Sequence, residues 1–244
     1  MIVQSLYSMI SAGRSMMIEP SDGVEPYTFE VKALGAGGTI DVDGLYTAPS
    51  YIPDQPNKSY DTIIVTDADL TVVEHIVNLG TPIKFLGEII RREMDLQPDQ
   101  VTLYNQKFTI PKDEKVYISV GYLSQKPFSN NISYSGEGSG LMEIQNTNIR
   151  AVMTVEIQSR NTSALNRKEE ILFAVNSTFA KQMMEANSFS IAKISSNFVN
   201  LSREEGSGIP YRFNISLVMH YTVTKTKNVS YFSNFQSNNV VIDR

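Results

Sequence analysis

The stretch Gly37 to Pro49, GGTIDVDGLYTAP, sets two carboxylates, Asp41 and Asp43, two positions apart and just ahead of a glycine. Calcium loops of the helix-loop-helix kind begin this way, with oxygen ligands at alternating positions and a bidentate carboxylate closing the loop at the twelfth. Counted from Asp41, the closing position holds Ile52, and no helical pattern flanks the segment. Asp43-Gly44 therefore reads as a tight turn in which Gly44 takes a positive φ, followed by a short strand, Leu45-Tyr46-Thr47, that Pro49 stops. Just upstream, Gly35-Ala36-Gly37-Gly38 follows a strand-like run but opens no helix, so it is not a phosphate-cradling loop. The chain has no G-x-x-x-x-G-K-[ST] either.

The remaining reactive side chains are few. With no cysteine, disulfides, thiolate metal sites and thiol nucleophiles are all excluded. His75 lies in a strand-like run and His220 on the polar phase of another; neither has a ligand or triad partner near it in sequence, and both read as packing or solvent residues. Without a nucleophile–base pair or a recognisable carboxylate pair, no enzyme activity, metal or cofactor is expected. Arg91-Arg92 and Arg167-Lys168 sit in helix-like stretches beside Glu93 and Glu169-Glu170, as solvated helix faces do. The net charge of −5 argues against wrapping nucleic acid, because phosphate contacts need clustered Lys and Arg, but it suits a surface past which DNA must slide without sticking.

At 41% apolar and 19% charged, 244 residues give a globular chain with room for two modest domains or one large one, and two are expected. The start, MIVQSLYSMISAGRSMMIEP, has no charged n-region and no sustained apolar core, and no run is long enough to span a bilayer. A product made in the cytoplasm, with no membrane partner, is expected.

Residues 1–80 alternate strand-like runs with Gly, Pro, Asp and Ser: Ile2 to Ile10, Ser15 to Ile18, Tyr27 to Val31, Tyr60 to Thr66 and Thr71 to Leu79. That spacing predicts a small β-sandwich. Its motifs also carry a resemblance. Pro26-Tyr27-Thr28-Phe29, Gly37-Gly38-Thr39-Ile40, Gly44-Leu45-Tyr46-Thr47-Ala48-Pro49 and Asp61-Thr62-Ile63-Ile64-Val65-Thr66-Asp67-Ala68 follow one another as in the bacterial and phage immunoglobulin-like (Ig-like) repeats. The resemblance implies a surface or virion sandwich, sometimes binding glycans weakly; Tyr46 and Tyr51 could stack on sugars if exposed, although aromatics in a sandwich are more often core.

Leu79-Gly80-Thr81-Pro82 marks a boundary, since Gly80 turns the chain, Thr81 can cap a helix and Pro82 suits its first position. Residues 81–227 read as an α+β domain with a mostly antiparallel sheet and covering helices. Ile83, Leu86, Ile89, Ile90 and Met94 recur at helical spacing over Pro82 to Met94. Val116, Ile118, Val120 and Tyr122, then Met153, Val155 and Ile157, alternate as strands. They are joined through Phe128 to Asn148, which includes the glycine-rich Ser135 to Gly140; such a connection is functional or mobile, or it is the tip of an extended hairpin arm. One long helix is expected next, with Asn166 and Glu169 at capping-box spacing and Leu165, Leu172, Val175, Phe179 and Met183 on one face, then a strand over Phe189 to Leu201. The final strand is the clearest: Tyr211, Phe213, Ile215, Leu217, Met219, Tyr221 and Val223 take every second position. A strand that long invites pairing beyond its own domain.

Residues 228–244 form a Ser/Asn-rich tail bearing Tyr231, Phe232 and Phe235. These three, with Phe128, Leu141 and Met142 around the glycine-rich connection, are the candidate interface residues. The second part resembles the tail-terminator and neck (head–tail joining) proteins of tailed bacteriophages, in its order of elements, in Val155-Glu156-Ile157-Gln158-Ser159-Arg160 leading into the helical region, and in the closing Ile209-Pro210-Tyr211-Arg212-Phe213-Asn214-Ile215. The resemblance implies a homo-oligomeric ring, commonly six-fold, in the virion neck, assembled in the host cytoplasm. That ring would join the tail tube and sheath to the head–tail connector, as tail terminator or collar, and leave a channel through which DNA passes unbound. An Ig-bearing tail or baseplate protein with weak glycan or cell-surface binding is the alternative.

Overall fold

The computed structural model describes residues 1–5, 9–49, 59–103, 111–135, 141–192, 197–202 and 210–229. It is mostly β, 52% strand and 19% helix, in several mostly antiparallel sheets with few helices. The first strands are β1 (Ile2–Ser5), β2 (Met9–Ile10), β3 (Ser15–Ser21), β4 (Thr28–Val31), β5 (Thr39–Ile40), β6 (Leu45–Thr47), β7 (Tyr60–Thr66) and β8 (Val72–Leu79). They form two four-stranded sheets, in the orders β1-β3-β6-β5 and β2-β8-β7-β4. The run expected as one strand from Ile2 to Ile10 is thus two strands in different sheets, and only β2 pairs in parallel, with β8. Alternate residues of facing strands, Ile18, Tyr46, Ile63, Val65, Val77 and Leu79, fill one core. Each such buried side chain contributes about 1.5–3 kcal/mol through apolar burial.

The second part holds α1 (Pro82–Glu93), β9 (Val101–Leu103), β10 (Tyr117–Ser135), β11 (Leu141–Ser159), α2 (Ser163–Arg167), α3 (Glu170–Asn176), α4 (Thr178–Asn187), β12 (Phe189–Ile191), β13 (Val199–Asn200) and β14 (Tyr211–Val229). Its sheet runs β12-β14-β11-β10-β9, with β13 also on β14. Ile118, Val120, Met153, Val155, Ile157, Ile215, Leu217 and Met219 share the face that α1, α3 and α4 cover with Phe85, Leu86, Ile89, Ile90, Ile171, Val175, Ala180 and Met183.

Three expectations need correcting. The single helix after β11 is three: a turn at Lys168 and Glu169 separates α2 from α3, and Ser177 then adopts an extended conformation and caps α4 through its hydroxyl, which accepts the Ala180 amide at 3.0 Å. Asn166 therefore lies inside α2 and caps nothing, and Leu165 is exposed rather than on the core face. The strand over Phe189 to Leu201 is only β12 and β13 among the described residues. Most of the Phe128 to Asn148 connection is paired strand, so of the two alternatives the extended hairpin is the one formed.

The two cores meet at Gly80. Its amide donates to the Ile10 carbonyl at 2.9 Å, and a Cβ there would collide with the Phe85 ring. Alongside, the Ser11 amide donates to Asn187 Oδ1 at 2.8 Å, and Arg14 donates to the Ser188 hydroxyl.

Candidate assembly interface

The residues first considered as chemistry are consumed by the fold. Asp41 Oδ1 accepts the amides of Asp43 at 3.0 Å and Leu45 at 2.9 Å, and Gly44 sits at φ 85°. A Cβ at Gly44 would lie 2.9 Å from the Phe29 ring, so this is a turn that requires glycine. The Gly37 and Gly38 amides do cradle an anion, but it is the chain's own Asp61 carboxylate, at 3.2 and 2.8 Å. Asp61 is fully buried and also accepts the Tyr46 hydroxyl at 2.6 Å. Burial, then the bond to Asp61, push the Tyr46 hydroxyl far above the ordinary phenol range. Tyr46 is fully buried, so it offers no face to a sugar, and Tyr51 lies outside the described residues.

His75 Nε2 meets the Ser5 hydroxyl at 3.0 Å, and burial holds its pKa below the usual histidine value. Each basic pair is engaged locally: Arg91 with Glu88 at 2.7 Å, Arg92 over the Phe179 ring at 4.1 Å, Arg167 with Glu170 at 2.7 Å and Lys168 with Glu169 at 2.6 Å. Among the described residues no three His, Asp or Glu side chains converge as metal ligands, and no helix is long and apolar enough to cross a membrane.

What stands out is an arm. β10, β11 and β14 continue past the helices, and from Leu123 to Ser135 every residue of β10 is exposed. β11 pairs with both neighbours along Met142 to Ile149, a span on the order of 25 Å at about 3.4 Å per residue. The buried half sets the register, because slipping by one residue would turn the Met153-Val155-Ile157 face to solvent. The exposed half inherits it as cross-strand rows.

On one face the rows are Asn130–Thr147–Val223, Ile132–Gln145–Lys225 and Tyr134–Glu143–Lys227. Lys227 pairs with Glu143 at 3.1 Å, and the bonds from Lys227 and then Gln145 hold the Glu143 carboxyl below its usual range. The other face has the uncharged rows Ser129–Asn148–Thr222 and Asn131–Asn146–Thr224, with the basic row Lys126–Arg150–His220 next to them at the arm's base. There Thr222 donates to Asn148 Oδ1 and Thr224 to Asn146 Oδ1, both at 2.7 Å.

Both margins of the arm are bare among the described residues. β9 covers β10 only at Ile118 to Val120, and β12 reaches along β14 only to Tyr221. The inner part of the β10 margin has the features that block edge pairing: irregular register at Leu123 and Phe128, with Lys126 and Pro127 between them. From Ser129 to Ser135 there is neither charge nor proline.

Phe128 is 60% exposed at the arm's base, edge-on to His220 at 5.9 Å between ring centroids. Leu141, opposite Val229 and partly buried, and Met142, exposed, are at the far tip. Phe128 is thus separated from them by most of the arm, and Tyr231, Phe232 and Phe235 lie outside the described residues, as do residues 136–140. Sequence reasoning missed Leu123, Ile132, Tyr134 and Val223 as exposed apolar side chains. The available signal was the every-second-residue threonine pattern, Thr222, Thr224 and Thr226, which extends the strand where apolar alternation stops.

Beside the bare margin of β14, between the arm and the N-terminal sheets, lies a cleft of about 450 Å³. Arg14 and Ser11 line one side, Val223 and Thr224 the other, and the stacked Phe85 and Phe189, 5.5 Å apart, line it too. No protein-family model matches the chain, and no curated protein matches it at a significant level.

Proposed function

We propose that this protein is a structural component of a tailed-phage neck, a tail terminator or collar ring joining the tail tube and sheath to the head connector. The observation that carries the reading is the arm: a long three-stranded ribbon with two bare margins, extending beyond the hydrophobic core that specifies it. A ribbon of that kind is stabilised when sister copies cover it, and repeated heterologous contacts close into rings. The net charge of −5 and the uncharged outer rows of the arm, Ser129–Asn148–Thr222 and Asn131–Asn146–Thr224, suit a channel wall along which DNA moves without being held. The order of elements supports the same reading by its resemblance to the neck proteins.

Two four-stranded sheets around one core, with the opening strand shared between them, support an Ig-like sandwich for residues 1–80, placed on the ring's outside. Two separate hydrophobic clusters support a domain boundary near Gly80, with residues 81–227 as the ring-forming part and 228–244 as a docking tail. The location that follows is the virion, reached by assembly in the bacterial cytoplasm. Light scattering and negative-stain microscopy of the purified chain test the proposal. A closed ring, six-fold or near it, is expected, and a protein that stays a single copy at high concentration would falsify the reading.

A further inference from the structure

The two bare margins of the arm differ in what they tolerate. On β14, Lys225 and Lys227 point to one face, so antiparallel pairing of this margin with its own copy would set lysines opposite lysines. On β10, Ser129 to Ser135 is uncharged and unguarded. Next to the β14 margin is the cleft of about 450 Å³, whose opposite side carries Arg14, and no strand fills it among the described residues. Pairing β10 with itself across a two-fold axis would cover one margin per copy and leave β14 bare. Pairing β10 with β14 covers both, in every copy.

We propose that the β14 margin from Val223 outward, with the cleft at its base, receives Ser129 to Ser135 of a second copy, so that arms join edge to edge into one sheet. This rests on the ring reading and names the contact that builds the ring. Both strands run antiparallel to β11, so they share a direction, and a rotation about the ring axis keeps it; the contact between copies is parallel. Faces are conserved across the join. Ile132 and Tyr134 therefore meet Val223 and the aliphatic stems of Lys225 and Lys227 from the neighbour, while Ser129, Asn131 and Ser133 extend its Asn/Thr face. Each margin's free N–H and C=O groups gain partners, and because β10 and β14 are different surfaces the contact propagates until it closes.

The absence of cysteine makes the test direct. Two double variants, Ser133→Cys with Thr224→Cys and Asn131→Cys with Thr224→Cys, are oxidised in the assembled full chain, with each single variant as control. Within one chain β11 separates these positions, too far for a disulfide. At least one double variant should give covalent multimers beyond the dimer, ending at the copy number found by light scattering, and the single variants should stay uncross-linked. Ile132→Lys, which sets a charge beside the neighbour's lysines, should raise the concentration for half-assembly by roughly fivefold or more without lowering the melting temperature of the dissociated chain. A ring of normal mass with no cross-links in either double variant, or with dimers from Ser133→Cys alone, overturns this contact and leaves the ring. A chain that never assembles overturns both.

Discussion

Asp61 sits in the N-terminal core as a carboxylate with no exposure, satisfied by two glycine amides and a tyrosine hydroxyl. A buried charge of this kind is tolerated only while its bonds are intact. Tyr46→Phe keeps the ring and removes one donor, so unfolding free energy should fall by about 1.5–3 kcal/mol, read from urea denaturation. Asp67 works on the turn before β8. Burial pushes its carboxyl up, but the bonds it accepts from the Thr71, Val24 and Asp69 amides outweigh that and hold it below 3.8. A lowered folded value means its contribution is complete above that ordinary value and is lost as pH falls through the lowered one. Unfolding midpoints measured downward from neutral pH should therefore drop less steeply in Asp67→Asn than in the natural chain.

At the scale of elements, apolar spacing was a good guide wherever one face is buried along its whole length. Pro82 to Met94 and Tyr211 to Val223 are read in this way and both formed, although Val223 lies exposed beyond the buried part and Phe85, a fully buried residue of α1, escaped the count. Spacing failed where a local bond outranks it. The stripe from Leu165 to Met183 is nearly continuous at helical period, yet Ser177 breaks it by capping a new helix. Ser177→Ala removes that cap and should cost about 1 kcal/mol of stability, with a matching drop in melting temperature. The connection across Phe128 to Asn148 left two alternatives open, and spacing could not choose between them. Ser, Asn and Gly suggest a loop, but Asn146, Asn148, Thr222 and Thr224 bond to each other across strands whose register the core had already set.

For the molecule as a whole, the docking of one core on the other includes a buried polar contact. Asn187, buried, accepts the Ser11 amide, while its own amide donates to the Met183 carbonyl at 3.1 Å. Asn187→Ala should leave the Ser11 amide unpaired and cost about 1–3 kcal/mol, and in calorimetry the transitions of the two cores should move apart. Asn187 and Ser11 also line the cleft beside β14, so light scattering on the same variant should show assembly weakening together with docking.

The sequence by itself determined the strand-rich class, the turn at Asp43-Gly44, the core phases of α1, β11 and β14, and the absence of cysteine chemistry. Each of these follows from residue type and period over a short window. Only the tertiary structure decided that Asp61 fills the glycine cradle, that Ile2 to Ile10 divides between two sheets, and that three strands outrun their core to leave Ser129–Ser135 and the β14 margin uncovered. Those depend on which distant segments lie side by side. Hydrogen-bond accounting across a sheet is a property of neighbours in space, and no local pattern along the chain encodes it.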